Sequence, residues 1–214
     1  PKHNYQVDLD RIIRRLEKTG EVPTLLLHAC CAPCSSYTIE YLSQYFKITL
    51  FYYNPNIAPA EEYQHRVNEI KRFVAEFKTK YPVTLIEGDY DPKKFYDAAR
   101  GLEQEPEGGK RCRKCFELRL AESARLAKEL GCDYFTTTLT ISPMKDAQVL
   151  NEVVQEQCDI YCIKRLPSDF KKKGGYKRSI QLSHDYNLYR QNFCGCVYSM
   201  REAKEREAKE VGRT

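Results

Sequence analysis

Four short apolar runs recur along the chain: TLLLHA (24–29), KITLFYYN (47–54), VTLIEG (83–88) and DYFTTTLTIS (133–142). Stretches of helical periodicity separate them. This alternation constrains the fold more than any other feature, because repeated strand–helix–strand units build a mostly parallel sheet with helices on both faces. VDLDRIIRRLEKTG (7–20) places apolar residues at 9, 12, 13 and 16 and then stops at Gly20, the pattern of an amphipathic helix. AEEYQHRVNEIKRFVAEFKTKY (60–81) and FELRLAESARLAKELG (116–131) read as further helices, and SPMKDAQVLNEVVQEQC (142–158) as one with Pro143 in its first turn. YCIKRLP supplies a short last strand. The polar stretch 101–115 and the basic stretch KKKGGYKRS read as loops, and residues 198–210 as a highly charged C-terminal helix. The expectation is a single α/β catalytic domain over residues 1–214, with a helical C-terminal part.

Composition narrows the setting. The net charge is +5, which suggests one basic face rather than a wholesale polyanion binder. Charged residues make up 30%, a lean towards heat adaptation. No apolar stretch approaches the ~20 residues of a membrane span, and the N-terminal segment is charged rather than signal-like. A soluble, cytoplasmic protein is expected, with no membrane partner. Ten cysteines are unusual there. In a reducing compartment they point to metal or redox chemistry, the alternative being intracellular disulfides of a heat-adapted protein.

Seven of those cysteines fall in three tight groups: Cys30, Cys31 and Cys34 in HACCAPCS; Cys112 and Cys115 in CRKC; Cys194 and Cys196 in CGC. The first group follows the strand TLLLHA, where parallel sheets place ligands. Two groups together offer five thiolates, more than one tetrahedral zinc needs. Adjacent Cys30 and Cys31 suit separate corners of an iron–sulfur cluster better than a zinc knuckle. Arg111, Arg113 and Lys114 are expected to favour thiolates at Cys112 and Cys115. The pair Cys194 and Cys196 closes a small strained ring when oxidised, the kind of disulfide that is labile, unless one of the two completes the metal site. Cys132, Cys158 and Cys162 stand singly at element ends and read as packing or neutral surface.

HACCAPCS (28–35), EPEGGKRCRKCFELRL (105–120), FTTTLTISPMKD (135–146), SDFKKKGGYKRSIQLS (168–183) and LYRQNFCGCVYS (188–199) carry a resemblance. On these residues the chain resembles QueH-type epoxyqueuosine reductases, the cobalamin-independent family of that activity. The resemblance implies a tRNA-modifying oxidoreductase that removes the epoxide oxygen of epoxyqueuosine to give queuosine, at the wobble nucleotide of a GUN-type anticodon. It implies a [4Fe-4S] cluster on Cys30, Cys31, Cys112 and Cys115 and a redox-active pair at Cys194 and Cys196. Cys34 is left for an additional iron ion, with Asp89 or Asp91 as acidic partner. The sheet is expected to be Rossmann-like, of the adenine nucleotide alpha hydrolase type.

The residues agree with that chemistry. Removing an epoxide oxygen needs two electrons, a group that polarises the oxygen, and protons for the departing water. A cluster, a dithiol and an open iron position supply these, and no GxGxxG or P-loop is present for a nucleotide cofactor. The electron donor is not identified by any motif. Lys171, Lys172, Lys173, Lys177 and Arg178 suit a phosphate backbone, with Gly174 and Gly175 permitting close approach. Tyr176, Tyr186 and Tyr189 are candidates for base stacking. Two other readings remain at this level: a metal-dependent tRNA thiolation enzyme, whose SGGxDS loop is replaced here by CCAPCSS, and a zinc-stabilised RNA-binding module.

Overall fold

The computed structural model describes residues 2–211. Five parallel strands form its centre: β1 (Thr24–Ala29), β2 (Lys47–Tyr52), β3 (Val83–Glu87), β4 (Tyr134–Thr137) and β5 (Lys164–Arg165). Eight helices accompany them among the described residues: α1 (Tyr5–Thr19), α2 (Ala32–Leu42), α3 (Ala60–Glu76), α4 (Pro92–Ala99), α5 (Lys110–Glu129), α6 (Ala147–Tyr161), α7 (Gly175–Asp185) and α8 (Val197–Val211). None of them is long and apolar enough to cross a membrane. The expected α/β class is therefore found.

The strand order is β3-β2-β1-β4-β5. The chain runs outward from β1 through β2 to β3 and then returns to the other side of β1 as β4. Such a reversal leaves a crevice beyond the carboxyl ends of the two strands that flank it. Here those strands are β1 and β4, paired from Leu25–Tyr134 to His28–Thr137. The β1–α2 turn with its cysteines opens directly into that crevice.

Both faces of β1 are buried, as a central parallel strand requires. Leu25, Leu27 and Ala29 point to the layer of α1, α2 and α3, with Leu9, Ile39 and Phe73. Leu26 points to the layer of α5 and α6, with Leu120, Leu150 and Val153. Each such fully buried leucine contributes about 1.5–3 kcal/mol of transfer free energy. α1 ends as its sequence predicts: Gly20 adopts φ 71° and its N–H bonds back to the Leu16 carbonyl.

Several boundaries differ from the sequence reading. The β-branched run after β4 does not extend the strand; Thr138–Ile141 form a 3-10 turn, with Thr137 Oγ1 accepting the Leu139 amide. α5 begins at Lys110, so Cys112 and Cys115 lie on its first turns rather than in a loop. α6 starts only at Ala147, capped by Asp146, which leaves Pro143 in the preceding turn. α3 ends at Glu76, and α7 takes over from Gly175 in the expected basic loop. Gly175 is explained by packing: a Cβ there would sit 1.9 Å from the Phe170 carbonyl and 2.4 Å from the Tyr37 ring. Its missing side chain thus serves contact with the protein's own backbone.

Candidate active site

At the β1/β4 crevice the β1–α2 turn folds back so that the Cys30, Cys31 and Cys34 sulfurs all lie within 4.8 Å of one another. Cys31 is the N-cap of α2, and its Sγ accepts the Cys34 amide at 3.4 Å. Cys30 lies against the turn that follows β4, with its amide donating to Thr138 Oγ1 at 3.4 Å. The hydrogen bonds from the Cys31 and Cys34 thiols draw the Cys30 thiol well below its ordinary range. The same contacts push Cys34 well above it and Cys31 up to about 12. Three sulfurs this close, one of them favoured for loss of its proton, are a donor set that suits a cation.

These cysteines line a cavity of about 410 Å³, with Lys145, Tyr176, Arg190 and Cys194 on its other walls. A second, smaller cavity of about 130 Å³ adjoins it, lined by Cys112, Cys115, Cys194 and Cys196. Cys194 belongs to both. So the structure gathers the seven clustered cysteines around two neighbouring cavities. All ten cysteines are free thiols, with no disulfide among them. Cys158 is core, Cys132 packs beside it, and Cys162 is exposed at the end of α6.

Of the basic residues around CRKC, Arg111 favours the Cys112 thiolate as expected, while Arg113 and Lys114 are spent on glutamates. Arg113 pairs with Glu117, Glu152 and Glu156, and Lys114 with Glu117. Arg111 is buried and binds Glu202 and the carbonyls of Leu102, Glu103 and Glu105. Burial dominates: it raises the Cys112 thiol against the opposing pull of the Gly108 amide and Arg111, and pushes Cys115 up to about 12.

Two cations that the sequence reading assigned no role stand among the sulfurs. Arg119 on α5 is 1% exposed and has no carboxylate partner among the described residues. It donates to Asn54 Oδ1 at 2.7 and 3.1 Å and to Cys115 Sγ at 3.7 Å. Asn54 in turn donates to the Ala29 carbonyl at 2.8 Å, which ties this arginine to the end of β1. Lys145 follows the β4 turn and makes no ion pair among the described residues. Burial pulls its ammonium down, but the facing Cys194, Cys30 and Cys34 sulfurs outweigh that and leave it raised. Among the described residues, Arg119 is buried and Lys145 half-buried, both without a carboxylate partner; cations so placed need anions nearby, and the candidates here are thiolates. The donor set thus fits a metal group held by cysteine sulfur.

His28, the residue two before the first of these cysteines, is a satisfied core histidine. Its Nε2 donates to the Tyr53 carbonyl at 3.0 Å and its Nδ1 accepts from Thr137 Oγ1 at 2.9 Å, which fixes the tautomer. Burial, aided by Arg119, lowers its pKa to about 3.

The CGC turn is clamped from α3. Arg66, 2% exposed, donates to the Cys194 carbonyl at 2.9 Å and to the Phe193 carbonyl at 3.4 Å. Gly195 sits at φ 136°, and its carbonyl accepts the Ala58 amide at 2.9 Å. Cys196 Sγ accepts the Ser199 amide at 3.3 Å where α8 begins.

Asp89 and Asp91 are not brought to the sulfurs. Both are exposed, and Asp91 caps α4 by accepting the Lys93 amide at 3.1 Å. Of the expected RNA-binding residues, Lys171, Lys173 and Arg178 pair with Asp169, Asp10 and Glu40, while Lys172 and Lys177 are exposed without a carboxylate among the described residues. Tyr176 is exposed and lines the main cavity. Tyr186 packs edge-on against Phe73 and Phe77, and Tyr189 against His65, so these two are structural.

A family model described as Epoxyqueuosine reductase QueH matches residues 25–202. Proteins of that name are similar over most of the chain. The one from Staphylococcus epidermidis is 50% identical over 202 residues, covering 92% of this chain and 85% of its own. That from Streptococcus pyogenes is 47% identical over 202 residues, covering 92% and 79%. That from Thermotoga maritima is 33% identical over 188 residues, covering 86% and 94%.

Proposed function

The chain belongs to the QueH family of epoxyqueuosine reductases, and from that premise we propose how its residues divide the work. The activity is that of an oxidoreductase in queuosine biosynthesis, acting on tRNA. The thiolation and zinc-module readings fall away with this membership.

In this reading one catalytic domain works in the cytoplasm on a tRNA with a GUN-type anticodon. Cys30 and Cys31 from the β1–α2 turn, with Cys112 and Cys115 from α5, hold a [4Fe-4S] cluster. Cys34, whose sulfur lies within 4.8 Å of those of Cys30 and Cys31, is the one left for an additional iron ion. When bound, such a cluster passes single electrons, and an iron with an open position polarises an oxygen as a Lewis acid. Arg119 and Lys145 offset the charge of the thiolates.

Cys194 and Cys196 supply the electron pair. Two thiols become a disulfide and release two electrons and two protons. The epoxide takes up both pairs, its two C–O bonds break, the alkene forms, and the oxygen leaves as water. An electron donor then returns the disulfide to dithiol. A cavity of about 410 Å³ suits one nucleobase with its cyclopentane arm. The wobble nucleotide must therefore leave its stack to enter.

The observation that carries this reading is the position of Cys194, on the wall shared by both cavities. Its test uses anaerobically purified protein and epoxyqueuosine-containing tRNA. Cys112→Ser is expected to lose iron and activity together. Cys194→Ser and Cys196→Ser should keep the iron chromophore and lose multiple turnover. Full iron in Cys112→Ser overturns the ligand assignment, and iron loss in either of the other two overturns the dithiol role.

A further inference from the structure

The charges on the main cavity are lopsided. Arg66, Lys145, Arg190 and Arg206 line it, against a single carboxylate among its described residues, Glu107. Glu107 also lines the smaller cavity beside Cys112 and Cys194, so it stands at the seam between the two.

That carboxylate is held in place but not spent. The Glu107 amide donates to Glu202 Oε2 at 3.2 Å, and Glu202 also binds the buried Arg111, so α8 fixes the backbone here. The Glu107 side chain is 17% exposed. Its oxygens accept no hydrogen bond among the described residues, and its ion pair is with Arg206 at 3.8 Å, beyond hydrogen-bond range. The contrast is with neighbouring acids such as Glu117, held by both Arg113 and Lys114.

Epoxyqueuosine carries its epoxycyclopentane on an aminomethyl arm at C7 of a 7-deazaguanine. The arm contains a secondary amine, protonated at neutral pH. Arg66 is already spent on Glu62, so a cation entering this cavity meets Lys145, Arg190 and Arg206, and beside the sulfurs Glu107 is the one carboxylate among the described lining residues that can receive it. We infer that Glu107 is the counter-ion of the substrate's secondary ammonium and so sets specificity for the aminomethyl arm. With the ammonium at the seam, the ring beyond it lies towards Cys194 and the base extends towards Tyr176 at the outer wall. Arg206 is then the residue that the ammonium displaces. This inference rests on the reading that the cavity receives the epoxyqueuosine base.

The test is a binding measurement that needs no turnover. Anticodon stem–loop RNAs are prepared with three wobble nucleosides: 7-aminomethyl-7-deazaguanosine, cationic; 7-cyano-7-deazaguanosine, neutral; and guanosine. Their affinities for the iron-loaded protein are compared at one salt concentration. The wild type is expected to prefer the aminomethyl RNA over the cyano RNA by about tenfold, the value of one charge-assisted hydrogen bond at a partly exposed site. Glu107→Gln should remove that preference by weakening the aminomethyl RNA alone, and Glu107→Asp, which keeps the charge, should retain part of it. Equal wild-type affinity for the two modified RNAs, both above guanosine, overturns the role of Glu107 and leaves the site reading standing. No preference for either over guanosine overturns the site reading, and the inference with it. A full preference surviving in Glu107→Gln also overturns the role.

Discussion

Arg66 Nη1 donates to the carbonyl of Cys194 at 2.9 Å, from a guanidinium buried beneath the CGC turn. Glu62 holds that guanidinium at 2.6 Å, and Tyr189 donates to Glu62 at 3.1 Å. The turn is thus fixed by a buried ion pair on α3 and not by its own geometry alone. Replacing Arg66 with Leu strands the Glu62 carboxylate and two carbonyls. The expected loss is about 3–5 kcal/mol of stability, read by chemical denaturation. Arg66→Lys should lose less stability yet still change how fast Cys194 and Cys196 react with a thiol-trapping reagent, because an ammonium cannot reach both carbonyls at once. Unchanged trapping in the Lys variant would show that the clamp does not govern the pair.

Arg119 gives a prediction about metal retention. It contacts Cys115 and offsets charge from a buried position, the place of a residue that supports ligands without being one. Arg119→Gln should weaken iron retention by about 10–100-fold, the usual effect of losing such support. Iron release to a chelator, followed by visible absorbance, measures it. Retention equal to wild type removes the arginine from the metal site.

Within the basic segment at 171–178, the exposed lysines without partners should matter most for RNA. Lys172→Ala and Lys177→Ala should each lower the salt dependence of tRNA binding by about 0.9 in log–log slope, the share of one phosphate that is no longer neutralised. Lys173→Ala, which removes an ion pair with Asp10, should change stability more than slope. Titrations at several salt concentrations separate these outcomes. Equal slopes in all three variants place the phosphate path elsewhere.

Acid should loosen the segment that leads into the CGC turn. Glu69 accepts from Arg72 and from the Tyr189 amide, and these contacts hold its carboxyl below the usual range. A carboxyl lowered in the folded state binds fewer protons there than when unfolded. Its contribution is therefore complete above the unfolded value of 4.5 and is lost as pH falls through the folded value. Glu69→Gln is expected to cost about 1 kcal/mol at neutral pH and to flatten the stability–pH curve below 4.5. A variant curve parallel to wild type down to the acid limit would count against this role.

How much of the fold and the site was legible in the sequence depended on which residues carry their own signal. The strands TLLLHA and KITLFYYN carry unbroken apolar runs, LLL and LFYY, and only a central place in a parallel sheet hides both faces of such a run. The run TTTLTI misled because β-branched residues suit strands, whereas at this crevice the Thr137 hydroxyl captures the Leu139 amide and turns the chain. The start of α5 was hidden because KRCRK shows charge where apolar periodicity would mark a helix. Arg119 was invisible for a different reason. Its burial depends on Asn54, 65 residues away in the chain, which receives its guanidinium. The grouping of Cys194 with both cavities likewise depends on the Arg66 clamp, which no spacing encodes.

The walls of the main cavity come from Cys30 and Cys34 near the start of the chain, Glu107 and Lys145 in its middle, and Arg190, Cys194 and Arg206 close to its end. During synthesis the first sulfurs emerge long before their cavity exists. The wall is complete only with α8 in place, where Arg206 lies 3.8 Å from Glu107. Until α8 has docked, the sulfurs of the β1–α2 turn have no wall at Arg206, so the chamber is a product of the whole chain and of no one segment.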